Sequence, residues 1–404
     1  MPFPGGQLVK RSYKLRSILH ACLGLVLVLW LAGCAVQPQT TVPAPDAEVT
    51  PRLHIQSLWY RQSQSGLPDP VAGMSPVVDK QRLFIADIQG RLIAMDRATG
   101  QRLWALGITA GQHHGDINAL TGGLGLGGGL LLMGTSEGEV IALDAATGKP
   151  DWRSRLSSEI LSPPVYSDGV VVVHVNDGRI FGLNAASGKR LWVYESSVPS
   201  LTLRGTSTPL IADGRVFVGL ANGKMVALSL REGQVIWETT VAIPAGRSEL
   251  ERVVDIDGAP VISKGVIFAA AYHGRVVAMS AVSGRILWSR DISAYHGLVV
   301  TPDQVYVSDD RNQLWALDRR SGAVLWKQSS LAGHIITRTT VYHKMPMLAD
   351  DAGDVYWLSW QDGHIIAHKK FGKAGFSLPP LVADNMIYLK DRHNALYALQ
   401  VEER

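Results

Sequence analysis

Cysteine is almost missing from this chain. Only Cys22 and Cys34 carry a thiol among 404 residues. If the leader containing Cys22 is removed, no intrachain disulfide is available, whatever the compartment permits. Catalytic signatures are missing too: there is no G-x-S-x-G elbow, no H-E-x-x-H and no C-x-x-C, so nothing in the text supports an enzyme. Net charge nearly vanishes once the leader is set aside. That leader holds four Lys/Arg and no Asp/Glu, which leaves 35 basic residues against 35 acidic, and the overall +4 belongs to the precursor. A neutral body gives no electrostatic reason to expect nucleic acid or an anionic surface as partner.

The leader itself is informative. Lys10, Arg11, Lys14 and Arg16 precede an apolar run from Ile18 to Leu31, interrupted only by His20. This is the profile of a secretory signal, and the run is short for a bilayer span. It ends Leu31-Ala32-Gly33-Cys34, which resembles a bacterial lipobox. Residues 1–33 are therefore expected to be cleaved and Cys34 to become the lipidated N-terminus. Ala35 after the cysteine resembles signals sorted to the outer membrane. Acyl chains on Cys34 would each contribute about 0.8 kcal/mol per buried methylene, and several together hold stably. Residues 34–52, rich in Pro, Thr and Ala, cannot bury enough surface to fold alone and read as a tether.

What is present in abundance is repetition. GRIFGLNAASGKRLW, from Gly178 to Trp192, recurs as GRLIAMDRATGQRLW from Gly90, GEVIALDAATGKPDW from Gly138, GKMVALSLREGQVIW from Gly223, GRVVAMSAVSGRILW from Gly274 and NQLWALDRRSGAVLW from Asn312. A degenerate copy, GDVYWLSWQDGHIIA, starts at Gly353, with Trp357 where Ala is usual and Ala367 where Trp is usual. Within a unit, short β-rich runs alternate with Asp-Gly, Asn-Asp-Gly and Ser-Gly turns that supply the positive φ of tight hairpins. Four antiparallel strands per unit of about 40 residues describe a propeller blade.

The ends complete the count. Leu58-Trp59 looks like a fourth strand with nothing before it, and Asn394 to Gln400 like a third strand with no fourth after it. Joining them predicts an all-β, eight-bladed propeller over residues 53–404, closed by its two termini and free of an open sheet edge. The recurring Trp reads as a wedge filler between blades, each burying about 150 Å² or more. Ile141 and Leu143, like Phe181 and Leu183, share one parity, which predicts a single buried face, with the small Ala142 or Gly182 between them admitting a neighbouring layer.

Several strings with chemical promise read as structural. Gly123 to Gly128 satisfies G-x-G-x-x-G but continues into a strand, whereas a dinucleotide site needs a helix. His113, His114 and Asp116 have no spaced third ligand and read as a polar loop. Asp255-Ile256-Asp257-Gly258 lacks the further ligands of a calcium loop. Asp309-Asp310 and Asp350-Asp351-Asp354 fall at hairpin turns. The connectors after Trp192 and Trp237 are more telling: both are long, flank one blade and must emerge on one side. One carries Pro199 to Gly205 (PSLTLRG) and the other Ser248 to Asp257 (SELERVVDID). Two readings stand here: leucine anchors within a rim of charge, as at interaction hot spots, or Leu201 and Leu203 tucked under the loop while Arg204 pairs with Asp255 or Asp257.

Taken together, the lipobox, the Trp-docked repeats and above all SLTLRG (200–205) and SELERVVDID (248–257) resemble the BamB family, the propeller lipoproteins of the outer-membrane β-barrel assembly machinery. The resemblance implies a non-enzymatic scaffold without cofactor or metal, on the periplasmic face of the outer membrane, which supports folding and insertion of barrel precursors and docks on the POTRA region of BamA. The family's docking positions fall on Leu201, Leu203, Arg204, Asp255 and Asp257. Quinone-dependent dehydrogenases share the repeat and form the alternative, but they use a vicinal disulfide and a calcium ion, and the mature chain keeps one cysteine. A generic periplasmic protein-binding propeller is the third reading.

Overall fold

The computed structural model describes residues 53–62, 74–87, 90–108 and 120–403. The leader, Cys34, the tether and the His113/His114/Asp116 loop lie outside them. No helix occurs among the described residues, and so none long and apolar enough to cross a membrane. Among the described residues, thirty-two strands form eight antiparallel sheets of four. We number the blades 1 (residues 77–107), 2 (120–155), 3 (165–195), 4 (210–240), 5 (261–290), 6 (298–328), 7 (340–370) and 8 (381–403 together with 53–61). In blades 1–7 strand order follows the chain, and from blade 1 to blade 6, as between blades 7 and 8, the first strands of neighbouring blades touch one another.

Blade 8 takes its fourth strand from the other end of the chain. Leu53–Arg61 pairs antiparallel with Leu396–Glu403, in a register running from Leu53 opposite Glu403 to Arg61 opposite Leu396, with a bulge between Ser57 and Trp59. In each of the other seven blades the fourth strand has its irregularity one step from the same cross-strand pair, as between Ala316 and Leu317 in blade 6. The terminal strand is thus built like the internal ones, and the expected closure is present.

The Trp of each fourth strand docks on the following blade. In six of the seven, indole Nε1 donates to a backbone carbonyl there: Trp59 to Arg97 (3.1 Å), Trp152 to Ala185 (2.7 Å), Trp192 to Leu230 (2.9 Å), Trp237 to Ala281 (3.1 Å), Trp288 to Arg319 (3.0 Å) and Trp326 to Trp360 (3.0 Å). Trp104 docks similarly, but its Nε1 has no acceptor among the described residues. The ring lies on the glycine of the neighbour's third-to-fourth turn. Gly188 shows why that residue must be Gly: φ is +67°, and a Cβ would stand 2.4 Å from the Trp152 ring.

The packing corrects one expectation. Third strands are buried on both faces rather than one: Val140, Ile141, Ala142 and Leu143 are all fully buried, as are Ile180 and Leu183. Each third strand lies between two neighbouring blades, so neither of its faces meets water. The small residue does make room, but for its own blade's Trp: Gly182 pairs with Trp192, and a Cβ on it would fall 2.1 Å from the indole. The G-x-G-x-x-G string is strand Leu120–Gly127 and the turn after it. Its glycines serve close approach, since a Cβ on Gly125 would sit 1.9 Å from the carbonyl oxygen of Pro164, the residue just before blade 3.

Candidate functional site

The two long connectors converge on blade 4. Its second-to-third turn, residues 220–223, receives both: Asn222 Nδ2 donates to the Ser197 carbonyl (3.3 Å), and the Gly223 carbonyl accepts from the amides of Val241 and Ala242 (2.9 Å each). Beyond the turn the connectors are tied to each other. Ser207 Oγ donates to the Gly258 carbonyl (3.3 Å), while the Ser207 carbonyl accepts from His174 Nδ1 (3.0 Å). A carbonyl only accepts, so His174 carries its proton on Nδ1. Burial holds this ring neutral, pulling its pKa down to about 4.

The five predicted residues divide into an outer and an inner set. Leu201 is 42% exposed, Leu203 is half-buried and Arg204 is exposed. Asp255, by contrast, is only 2% exposed and Asp257 is half-buried. The inner set holds the outer one. The backbone amides of Leu203 and Ile256 face the Asp255 carboxyl group and favour its charged form, against the larger opposing effect of burial. Gly205 lies against the Asp257 carboxyl group, at 2.9 Å from where its own Cβ would be. Desolvation and the neighbouring Asp257 push Asp255 up to about 8, and desolvation pushes Asp257 up to about 6. Each keeps one buried oxygen without a partner, Asp255 Oδ2 and Asp257 Oδ1.

The pairing expected of a tucked loop is absent from Arg204. It pairs with neither aspartate; its Nη2 meets Glu159 Oε1 at 2.8 Å, on the connector between blades 2 and 3. A partly exposed pair of this kind contributes at most about 1 kcal/mol to stability, so its effect is on direction. Sequence reading also passed over Ile243 and Leu250, which the second connector leaves 71% and 73% exposed. Val253, Val254 and Ile256 of the same connector are buried beneath it. Only the missing period in this stretch distinguished the two kinds of residue, and it does not say which face is which.

Other candidates are accounted for by the fold. His334, Asp350 and Asp351 bring ligand atoms within 4.8 Å of one another. The carboxylates are already engaged: Asp350 Oδ1 accepts from the amides of Ala352 and Asp354, Asp350 Oδ2 from the Tyr356 hydroxyl, and Asp351 Oδ1 from the Ile335 amide. Asp309 and Asp391 cap the matching turns of blades 6 and 8 in the same way. A cavity of about 880 Å³ lies across the ring, between blades 1 and 8, lined among others by Arg61, Arg91, Met95 and Leu106.

Comparison with known proteins agrees with the loop phrases. A family model described as "Outer membrane protein assembly factor BamB" matches residues 89–328. Proteins of that name from Yersinia pestis and Escherichia coli are 31% and 29% identical to this chain over 382 and 385 residues, covering 93% of it and 97% of each relative. The crystal structure of BamB from Moraxella catarrhalis superposes with a TM-score of 0.77 at 26% identity, covering 86% of this chain and 100% of that one. Quinohemoprotein alcohol dehydrogenase from Comamonas testosteroni, at 14% identity and a TM-score of 0.66, shares the fold alone. The chain belongs to the BamB family of outer membrane protein assembly factors.

Proposed function

We propose that this protein is a non-enzymatic scaffold subunit of the outer-membrane β-barrel assembly machinery, docking on the periplasmic POTRA region of BamA and supporting folding and insertion of outer-membrane proteins. Residues 1–33 are its cleaved signal, Cys34 its lipid attachment, residues 34–52 its tether and residues 53–404 its propeller, held on the periplasmic face of the outer membrane. The observation that carries the docking half is the convergence of two family-specific phrases on one blade, with Leu201 and Arg204 exposed and Asp255 buried.

The five docking positions then have two jobs. Leu201, Leu203 and Arg204 meet the partner, the leucines as anchors and the guanidinium as a directional donor. Asp255 and Asp257 keep the first connector in its presenting shape from below. Copurification from membranes tests the partner, and titration of the purified protein with the BamA periplasmic region tests the surface. Leu203→Ala with Arg204→Ala is expected to weaken binding by at least tenfold; wild-type affinity in that double variant would overturn the assignment.

A further inference from the structure

Glu159 belongs to no phrase that marks this family's docking loops, yet it is the one acidic group that the Arg204 side chain reaches among the described residues. Its own backbone is fixed on both sides. The Glu159 carbonyl accepts from the Asn176 amide at 2.9 Å, and the next residue, Ile160, is wholly buried. Ile160 N donates to the Thr135 carbonyl at 3.2 Å, and its carbonyl accepts from Thr121 Oγ1 at 2.8 Å. Glu159 is therefore a carboxylate mounted on a rigid seam between blades 2 and 3.

Arg204 is mounted differently. From Val198 to Thr206 the first connector makes no backbone-to-backbone hydrogen bond among the described residues, and its Gly205 lies against the Asp257 carboxyl group. The Arg204 side chain is 63% exposed, while that of Glu159 is 20% exposed. A long, exposed arginine on a lightly tied loop would sample many rotamers, and ordering it on association is costly. One charge-assisted contact to a fixed acid removes much of that freedom beforehand. It occupies Nη2 and leaves the other guanidinium N–H groups for an acceptor on the partner.

From this geometry we infer that Glu159 is a positioning residue of the docking face: it pre-aims Arg204 from a neighbouring blade, so that the recognition surface extends from blade 4 to the seam between blades 2 and 3. The inference rests on the docking reading above. A partner surface that offers an acceptor and an apolar contact fits it, Leu201 being exposed on the same connector as Arg204.

The test is a double-variant cycle on the full-length protein purified from membranes in detergent, titrated with the soluble POTRA region of BamA. Glu159→Ala is expected to weaken binding about three- to tenfold, the cost of ordering one freed side chain. Glu159→Gln, which keeps an acceptor without the charge, should fall between. In an Arg204→Ala background, Glu159→Ala should change nothing. Unchanged or tighter binding of Glu159→Ala alone would overturn the inference, as would an equal loss in both backgrounds, which would mean that Glu159 acts through folding. If Arg204→Ala alone left affinity unchanged, the docking surface itself would be wrong, a separately readable outcome.

Discussion

Trp357 faces Ala367 across the third and fourth strands of blade 7, the inverse of the Ala142–Trp152 pair in blade 2 and the Ala227–Trp237 pair in blade 4. The reason lies one blade further on. A fourth-strand Trp docks on the glycine turn between the neighbour's third and fourth strands, and in blade 8 those strands, Leu396–Glu403 and Leu53–Arg61, are not joined by a turn. With no platform to receive it, the indole moves to the third strand. There Trp357 is fully buried against Tyr342, Phe371 and Leu399.

Ala367→Trp is accordingly expected to destabilise the protein by about 1–3 kcal/mol through overpacking against Trp357. The paired change Trp357→Ala with Ala367→Trp should not recover wild-type stability, because the restored indole still has nothing to dock on. Urea unfolding of the three variants checks both statements, and full recovery in the double variant would contradict the platform argument.

Trp192 and Trp104 occupy equivalent places but differ in one hydrogen bond. Replacing Trp192 by Phe removes the bond to the Leu230 carbonyl, whereas Trp104→Phe removes none seen among the described residues. The first is expected to cost about 0.5–1.5 kcal/mol more than the second. Equal unfolding free energies for the two Phe variants would refute the comparison.

Asp255 makes stability depend on pH in a definite direction. Its folded pKa is raised, mainly by desolvation, to about 8, so the folded state holds a proton that the unfolded chain releases near 4. Its contribution is fully present below that lower value and is lost as pH rises through the folded one. The buried His174, lowered to about 4, works oppositely but only below about 6.5. Between pH 6.5 and 8, unfolding free energy should therefore fall by about 1–2 kcal/mol as pH rises. Asp255→Asn, which keeps the side chain's shape without a titrating group, should flatten that slope, and an unchanged slope would count against the buried acid as its source.

Much of this architecture was legible beforehand because blade construction repeats the same two chemical requirements, a Trp and a glycine turn on which it lies. Closure was legible from Leu58-Trp59, which carries the same mark. What escaped were relations that leave no periodic trace. The Trp357/Ala367 exchange looked like decay because each position was read alone, and only the register shows the pair. Gly182 was assigned to the wrong neighbour because spacing along a strand does not say which indole fills the gap. Asp255 stood open between rim charge and partner of Arg204 because the loop holding it has no period to reveal its inward side. Glu159 was invisible: it meets Arg204 from 45 residues away.

Removing residues 53–61 is expected to abolish cooperative unfolding and produce aggregation, because blade 8 would lose its fourth strand and expose Leu396–Glu403 as an open edge. Size-exclusion chromatography and thermal unfolding of the truncated protein provide the measurement. A monomeric, cooperatively unfolding product would show that the ring does not depend on its terminal strand.

That terminal strand also sets a clock. The partner of Ser57 is Leu399, so the first strand has nothing to pair with until the last has been delivered. The chain entropy lost in bringing them together grows only logarithmically with the separation, yet contacts this distant in sequence form slowly. Seven blades can assemble from local hairpins while the chain is still emerging, but the eighth is a final step that reports completeness. A nascent or prematurely ended chain presents an unlatched ring, with two raw sheet edges for proteases and chaperones to recognise.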